Sequence, residues 1–222
     1  MYKRQYEHHR PRLLILLGNP SLLLRDEYRE LWGDIPIVLC SEEKFIGPKD
    51  TYIYKQPVTQ AERVPISQLA DPYNLVLLYS NLYLRENIQL ISHIIPDMKK
   101  FIFIGDEREI NQTNNLEIQT KLKAINPNIE YQYITPQKMT TNQLLDSLYH
   151  VDPNTTGILF ASWFYKTTFA GNTSLVTNAH KLIVTTTAPI FTLNMADITE
   201  ENGGMIGCLL YTSDAADDLI GV

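Results

Sequence analysis

From residue 75 to residue 193 the chain alternates five short apolar runs with four longer amphipathic stretches. No other feature of the sequence restricts the fold so tightly. The runs fall at 75–79, 99–104, 129–134, 156–161 and 189–193. Their length and their wealth of Leu, Ile, Phe and Tyr predict strands buried on both faces. The stretches at 84–95, 107–125, 142–149 and 174–187 carry helical spacing, the first closed by Pro96 and the second by Asn126-Pro127. Thr140 followed by Gln143 has the spacing of a capping box at the start of the third helix. Strands separated by helices imply right-handed crossovers and a parallel sheet with helices on both faces. The predicted class is α/β.

The N-terminal part repeats the theme once and then loses it. Leu13-Leu14-Ile15-Leu16-Leu17 before Gly18-Asn19-Pro20 reads as a doubly buried strand, 21–31 as a helix and 35–40 as the next strand. From 41 to 74, Pro48, Pro57, Pro65 and Pro72 interrupt the pattern, and only Thr51-Tyr52-Ile53-Tyr54 looks strand-like. Such a stretch is too long for an ordinary loop. It reads as a crossing between two lobes. The expected organisation is the C-terminal part of a first, incomplete lobe at 6–45, a crossing at 46–74, a complete five-stranded second lobe at 75–193, and a return toward the first lobe at 194–207.

The two ends fit no part of this pattern. Met1-Tyr2-Lys3-Arg4-Gln5 back-translates to GTGTATAAGAGACAG, and the stretch from Cys208 back-translates to its reverse complement. Residues 1–5 and 208–222 are therefore expected to be sequencing-adapter translation, and scars of this kind are set aside before fold reasoning. Setting aside Lys3, Arg4, Asp214, Asp217 and Asp218 moves the net charge from −6 to −5. Clustered cations of a nucleic-acid footprint are missing, so no nucleic-acid partner is expected. Cys40 is then the one remaining thiol, which excludes an internal disulfide. No apolar run approaches the roughly 20 residues of a membrane helix.

Ligands of open parallel sheets bind outside the carboxyl ends of the strands. In the predicted register those ends carry Asn19, Ser41, Ser80, Asn81, Asp106, Trp163 and Asn194. Neutral polar groups with a Trp suit an amphipathic or hydroxyl-rich small molecule, with the indole covering an apolar ring face. The same residue types also cap helices and shape turns, and a Trp directly after a buried strand either lines a cleft or plugs the edge of its lobe. Asp106, Glu107 and Glu109 beside Arg108 could hold a cation or accept a phosphoryl group. The simpler reading is that they are acids stabilised by a helix dipole. Gly-x-Gly-x-x-Gly, the phosphate-loop motif and Gly-x-Ser-x-Gly are all absent, so neither a nucleotide cofactor nor a serine nucleophile is indicated. Cys40 ends an apolar run and reads as a small core residue. His8, His9, His93, His150 and His180 have no metal-binding spacing. No catalytic residue, cofactor or metal is expected.

The order of these segments resembles the type I periplasmic-binding-protein architecture, two α/β lobes joined by several crossings. More specifically, it resembles the sensor region at the N-terminus of hybrid sensor histidine kinases of Bacteroidota. The resemblance rests on residues 13–20, Trp32 with residues 35–40, Arg85-Glu86-Asn87-Ile88 with Ile95-Pro96-Asp97, and residues 101–106. It continues through Thr141 with residues 144–148, residues 157–163, Pro189-Ile190-Phe191-Thr192 and Gly203-Gly204-Met205-Ile206-Gly207. It implies a periplasmic sensor in which a small molecule, such as a sugar or oligosaccharide, shifts an open–closed equilibrium between lobes. The parent would be membrane-anchored and dimeric, with its kinase outside this segment. A substrate-binding protein of an ABC transporter has the same architecture, and an α/β enzyme such as a glycosyltransferase is the third reading.

Overall fold

The computed structural model describes residues 9–54, 58–167, 171–174, 179–194, 197–198 and 205–207. The chain divides into two compact units, Met1–Asn81 and Leu82–Val222. The expected adapter ends lie outside the described residues, as do Gly203 and Gly204.

In the first unit, β1 (Leu14–Leu17) leads through a 3-10 turn (Asn19–Leu24) into α1 (Arg25–Trp32). Gly18 takes a positive φ of 75° where the chain turns off β1, and Gly33 one of 73° where α1 stops. Both angles lie in the region that glycine enters without a Cβ clash. Then come β2 (Ile37–Ser41), β3 (Phe45–Ile46), α2 (Lys49–Tyr54), a short turn Gln60–Glu62, β4 (Val64–Pro65), a turn Ile66–Leu69, and β5 (Leu75–Tyr79). Strands β1, β2 and β5 form one parallel sheet in that order, and β3 pairs antiparallel with β4.

Three expectations change here. Leu75–Tyr79 is a strand, but it pairs with β2 rather than joining the second lobe, Leu75 opposite Ile37 through Tyr79 opposite Ser41. The presumed crossing at 46–74 is packed into the first unit, where Ile46 and Ile66 are core residues. Thr51-Tyr52-Ile53-Tyr54 is helical rather than extended. Only Thr51 of that turn is buried, a one-sided pattern that a short helix satisfies as readily as a strand.

The sheet of the first unit is covered on one face. Leu14, Leu16, Ile37, Leu39, Leu75 and Leu77 pack with Leu22, Tyr28, Ile46, Tyr52, Ile66 and Leu69, which all belong to connecting segments. On the opposite face the register aligns Ile15 with Val38 and Val76, and Leu17 with Cys40 and Leu78. Ile15 is 64% exposed, Leu17 74%, Val76 58% and Leu78 55%. The double burial expected of β1 is therefore not found.

The second unit runs α3 (Leu84–Ile94), β6 (Lys100–Ile104), α4 (Glu109–Ile125), β7 (Glu130–Ile134), α5 (Thr141–Tyr149), β8 (Thr156–Phe160), the hairpin β9 (Phe164–Thr167) and β10 (Gly171–Ser174), α6 (Ala179–Thr185), β11 (Ile190–Thr192) and β12 (Met205–Ile206). Its sheet is parallel, ordered β12-β11-β8-β6-β7. Five strands were expected, but not these five. Met205–Ile206 pairs with β11 instead of returning to the first unit. The hairpin β9–β10 was not anticipated.

Here both faces are covered. Ile102, Ile104, Ile158 and Phe160 pack against Leu144 and Leu148 of α5 and Leu182 of α6. Phe101, Phe103 and Leu159 pack against Ile88 and Ile91 of α3 and Ile118 and Leu122 of α4. Gly157 in β8 sets the approach of α3, because a Cβ there would lie 2.6 Å from Ile91 Cγ2 and from Met98 Sδ. The expected α/β class, parallel sheets flanked by helices, is the observed one.

Candidate functional site

The strand order of the second unit contains a switch point. From β6 the chain leaves by α4 and steps outward to β7. It then returns past β6 to β8, and leaves again by α6 toward β11. Helix α4 packs on one face of the sheet and α6 on the other. Adjacent strands whose continuations part to opposite faces leave a crevice outside their carboxyl ends, the usual ligand position in such sheets.

Asp106 lies two residues beyond β6 and Ser162 two residues beyond β8, and they meet across this point. The Ser162 hydroxyl donates to Asp106 Oδ2 at 2.7 Å, and Asn111 Nδ2 donates to Ser162 Oγ at 2.8 Å. Asp106 Oδ1 also accepts the backbone N–H of Arg108 at 2.9 Å, and Arg108 Nε reaches both carboxylate oxygens at 3.0 Å. The Tyr133 hydroxyl, from β7, donates to the Asp106 carbonyl. Asp106, Asn111 and Ser162 are buried, whereas Arg108 remains exposed. The Arg108 guanidinium lies over the Phe164 ring, 4.2 Å from its centroid, which ties it to the base of the hairpin.

Burial alone would raise the Asp106 carboxyl. The hydrogen bonds and charge of Arg108, with the bond from Ser162, outweigh it and hold the group below the usual carboxylate range. Burial, and then the charge of Asp106, push the Tyr133 phenol well above its ordinary value, so it stays a neutral donor. The arrangement is a charge-assisted network that holds the exposed Arg108 beside the crevice. It can recognise a polar ligand. It contains no activated nucleophile. Among the described residues, no group of three or more His, Cys, Asp or Glu could hold a metal ion.

The other expected site residues fall elsewhere. Trp163 is fully buried in the core, with its indole N–H donating to Thr141 Oγ1 at 3.1 Å. It is part of the core cluster and exposes no ring face. Asn19 and Ser41 do meet, in the first unit. Ser41 Oγ donates to Asn19 Oδ1 at 2.6 Å, while Asn19 Nδ2 donates to the Phe45 carbonyl at 2.7 Å and to Glu43 Oε2 at 3.1 Å. Glu43 is in turn paired with Arg63 at 3.3 Å. This network clamps the β3 segment to the sheet. Ser80 and Asn81 are exposed just past β5, and Asn81 Oδ1 accepts from the Tyr79 hydroxyl at 3.3 Å. Asn194 is exposed after β11, and its backbone N–H donates to Thr192 Oγ1 at 3.0 Å. Thr192 Oγ1 donates to the buried Asp197 at 2.9 Å, and burial raises the Asp197 carboxyl.

Sequence reasoning placed both Asp106 and the segment Ser162-Trp163-Phe164 at strand ends and noted Arg108 beside Asp106, but it did not join Asp106 to Ser162. Ser162 stands two residues past a strand, as Asp106 does, and that shared offset was the available signal. Asn111 and Tyr133 carried none, because their roles depend on which strands are neighbours.

No family model matches the chain, and no curated protein matches it. The solved structures it is similar to include two that share its fold over almost its full length. One is a conserved domain protein from Vibrio cholerae, 17% identical with a TM-score of 0.51, matched over 99% of this chain and 68% of that one. The other is the ABC domain in complex with L-Trp from Streptococcus pneumonia, 11% identical with a TM-score of 0.53, matched over 99% and 67%. At these identities the likeness is one of fold.

Proposed function

We propose that this chain binds a small molecule and is the extracytoplasmic ligand-sensing segment of a histidine-kinase signalling protein. The observation that carries the binding role is the Asp106–Ser162–Arg108 network at the switch point of the second unit. Support also comes from the shared fold with a domain crystallised with L-Trp. The sensing role rests on the ordered resemblance of residues 6–207 to kinase sensor regions. On this reading the ligand biases an equilibrium between conformations, and the signal leaves through a periplasmic, membrane-anchored parent that dimerises. Among the described residues no helix is long and apolar enough to cross a membrane, so the anchor belongs to another part of that parent. The second reading is a substrate-binding protein of an ABC transporter, which the resemblance to the type I binding-protein architecture accommodates equally.

Calorimetry of the chain against the proteinogenic amino acids and a set of mono- and oligosaccharides tests the binding role. At least one compound should bind, and Arg108→Gln should weaken it by about 1–3 kcal/mol. Lys121→Gln, which removes only a helix-surface pair with Glu117, should leave the affinity unchanged. Failure of every compound to bind would sink the proposal. The two readings separate on the reading frame, since a membrane helix and kinase domain beyond the segment favour sensing and their absence favours transport.

A further inference from the structure

We infer that the ligand of the switch-point site is a zwitterion of the α-amino-acid kind, its carboxylate taken by Arg108 and its ammonium by Glu107. The inference rests on the binding role proposed above and narrows it to one chemical class.

Arg108 is held at two places. Its Nε reaches both oxygens of the buried Asp106 at 3.0 Å, and its guanidinium lies over the Phe164 ring, 4.2 Å from the centroid. Its terminal nitrogens donate to nothing among the described residues. A guanidinium fixed in this way, with its terminal fork unclaimed, suits a planar or tetrahedral oxyanion. Part of the ordering that binding requires is already complete. Glu107 is the converse case. Its carboxylate accepts from the Thr135 hydroxyl at 3.4 Å and has no cation within ion-pair distance among the described residues. The charges of Asp106, Glu107 and Arg108 all act on the Tyr133 phenol, and Lys138 Nζ lies 5.4 Å from the centroid of the same ring.

This balance of charge selects the ligand class. Two anions and two cations stand around Tyr133, so the site offers a phosphate dianion no net attraction. A molecule with one charge of each sign is complementary to it. A neutral saccharide would engage neither charge. The rings described beside the site are also occupied, Trp163 in the core, Phe164 under Arg108, and Tyr133 stacked on Phe103 with centroids 5.2 Å apart.

The test is calorimetry of the 222-residue chain against the proteinogenic amino acids, with maltose and cellobiose as neutral probes. Each amino acid that binds is then compared with its carboxamide and its N-acetyl derivative. At least one amino acid should bind, and both of its derivatives should bind about tenfold more weakly or worse. In Arg108→Lys the preference for the free acid over the carboxamide should shrink, while the preference over the N-acetyl form persists. In Glu107→Gln the pattern should reverse. The derivative series on the wild type decides even where a variant does not fold. A saccharide that binds when no amino acid does would leave the binding role standing and overturn the inference. So would a derivative that binds as tightly as its parent, or preferences that folded variants leave unchanged. Silence of every probe would overturn the binding role, and the inference with it.

Discussion

Asp106 shows how one buried carboxylate can tie together a strand end, a helix start and a neighbouring loop. Its folded-state pKa is depressed, so the native state holds fewer protons than the unfolded chain as the group titrates. The stability it contributes is therefore present above the unfolded value, near pH 4, and is lost as pH falls through the lower folded value. Thermal unfolding of the wild type should steepen its loss of stability below about pH 4, and Asp106→Asn should flatten that limb. Matching slopes in the two proteins would remove Asp106 from the acid response. Asp197 works in the opposite sense, since its raised carboxyl costs stability as it ionises. Trp163 belongs to the residue scale too, although the sequence made it a ligand-facing candidate. Fully buried among Ile104, Ile134, Leu144 and Phe160, it should cost roughly 3–5 kcal/mol as Trp163→Ala, read by denaturant unfolding. A cleft-lining Trp would instead change affinity with little effect on stability.

Helix α5 is where the sequence spoke most clearly. The Thr140 and Gln143 spacing was legible, and both bonds of the box form, Gln143 N–H to Thr140 Oγ1 at 3.3 Å and Thr140 N–H to Gln143 Oε1 at 2.9 Å. Thr140→Ala should therefore destabilise the second unit by about 1 kcal/mol, with Thr140→Ser largely restoring it. An unchanged unfolding midpoint for Thr140→Ala would mean that the exposed box contributes nothing. Capping is local, so four residues suffice to read it. The strands were legible for a related reason, since β6, β7, β8 and β11 each carry their own apolar run. Thr51-Tyr52-Ile53-Tyr54 failed because a single turn has too few residues for a period of 2 to be told from 3.6. The hairpin β9–β10 failed because it interrupts the βα alternation that was used to read its neighbourhood. The Asp106 site was half legible. A polar residue after a strand is a local fact, whereas its bond to Ser162 depends on β6 and β8 being neighbours.

Neighbour relations are also what misplaced β5 and β12. Each is an apolar run that either sheet could accept, and only pairing decides between them. The choice leaves the two units unequal in cover. In the second unit, β6 is flanked by β7 and β8 and buried on both faces. In the first, β1 is an edge strand whose outward residues meet solvent. Local opening free energies follow buried apolar contact and the protection of backbone hydrogen bonds. Hydrogen exchange of the 222-residue chain should then find the amides of residues 102–104 among the last to exchange, and those of residues 15–17 well ahead of them. Equal protection of β1 and β6 would mean that the outward face of the first sheet is covered in solution.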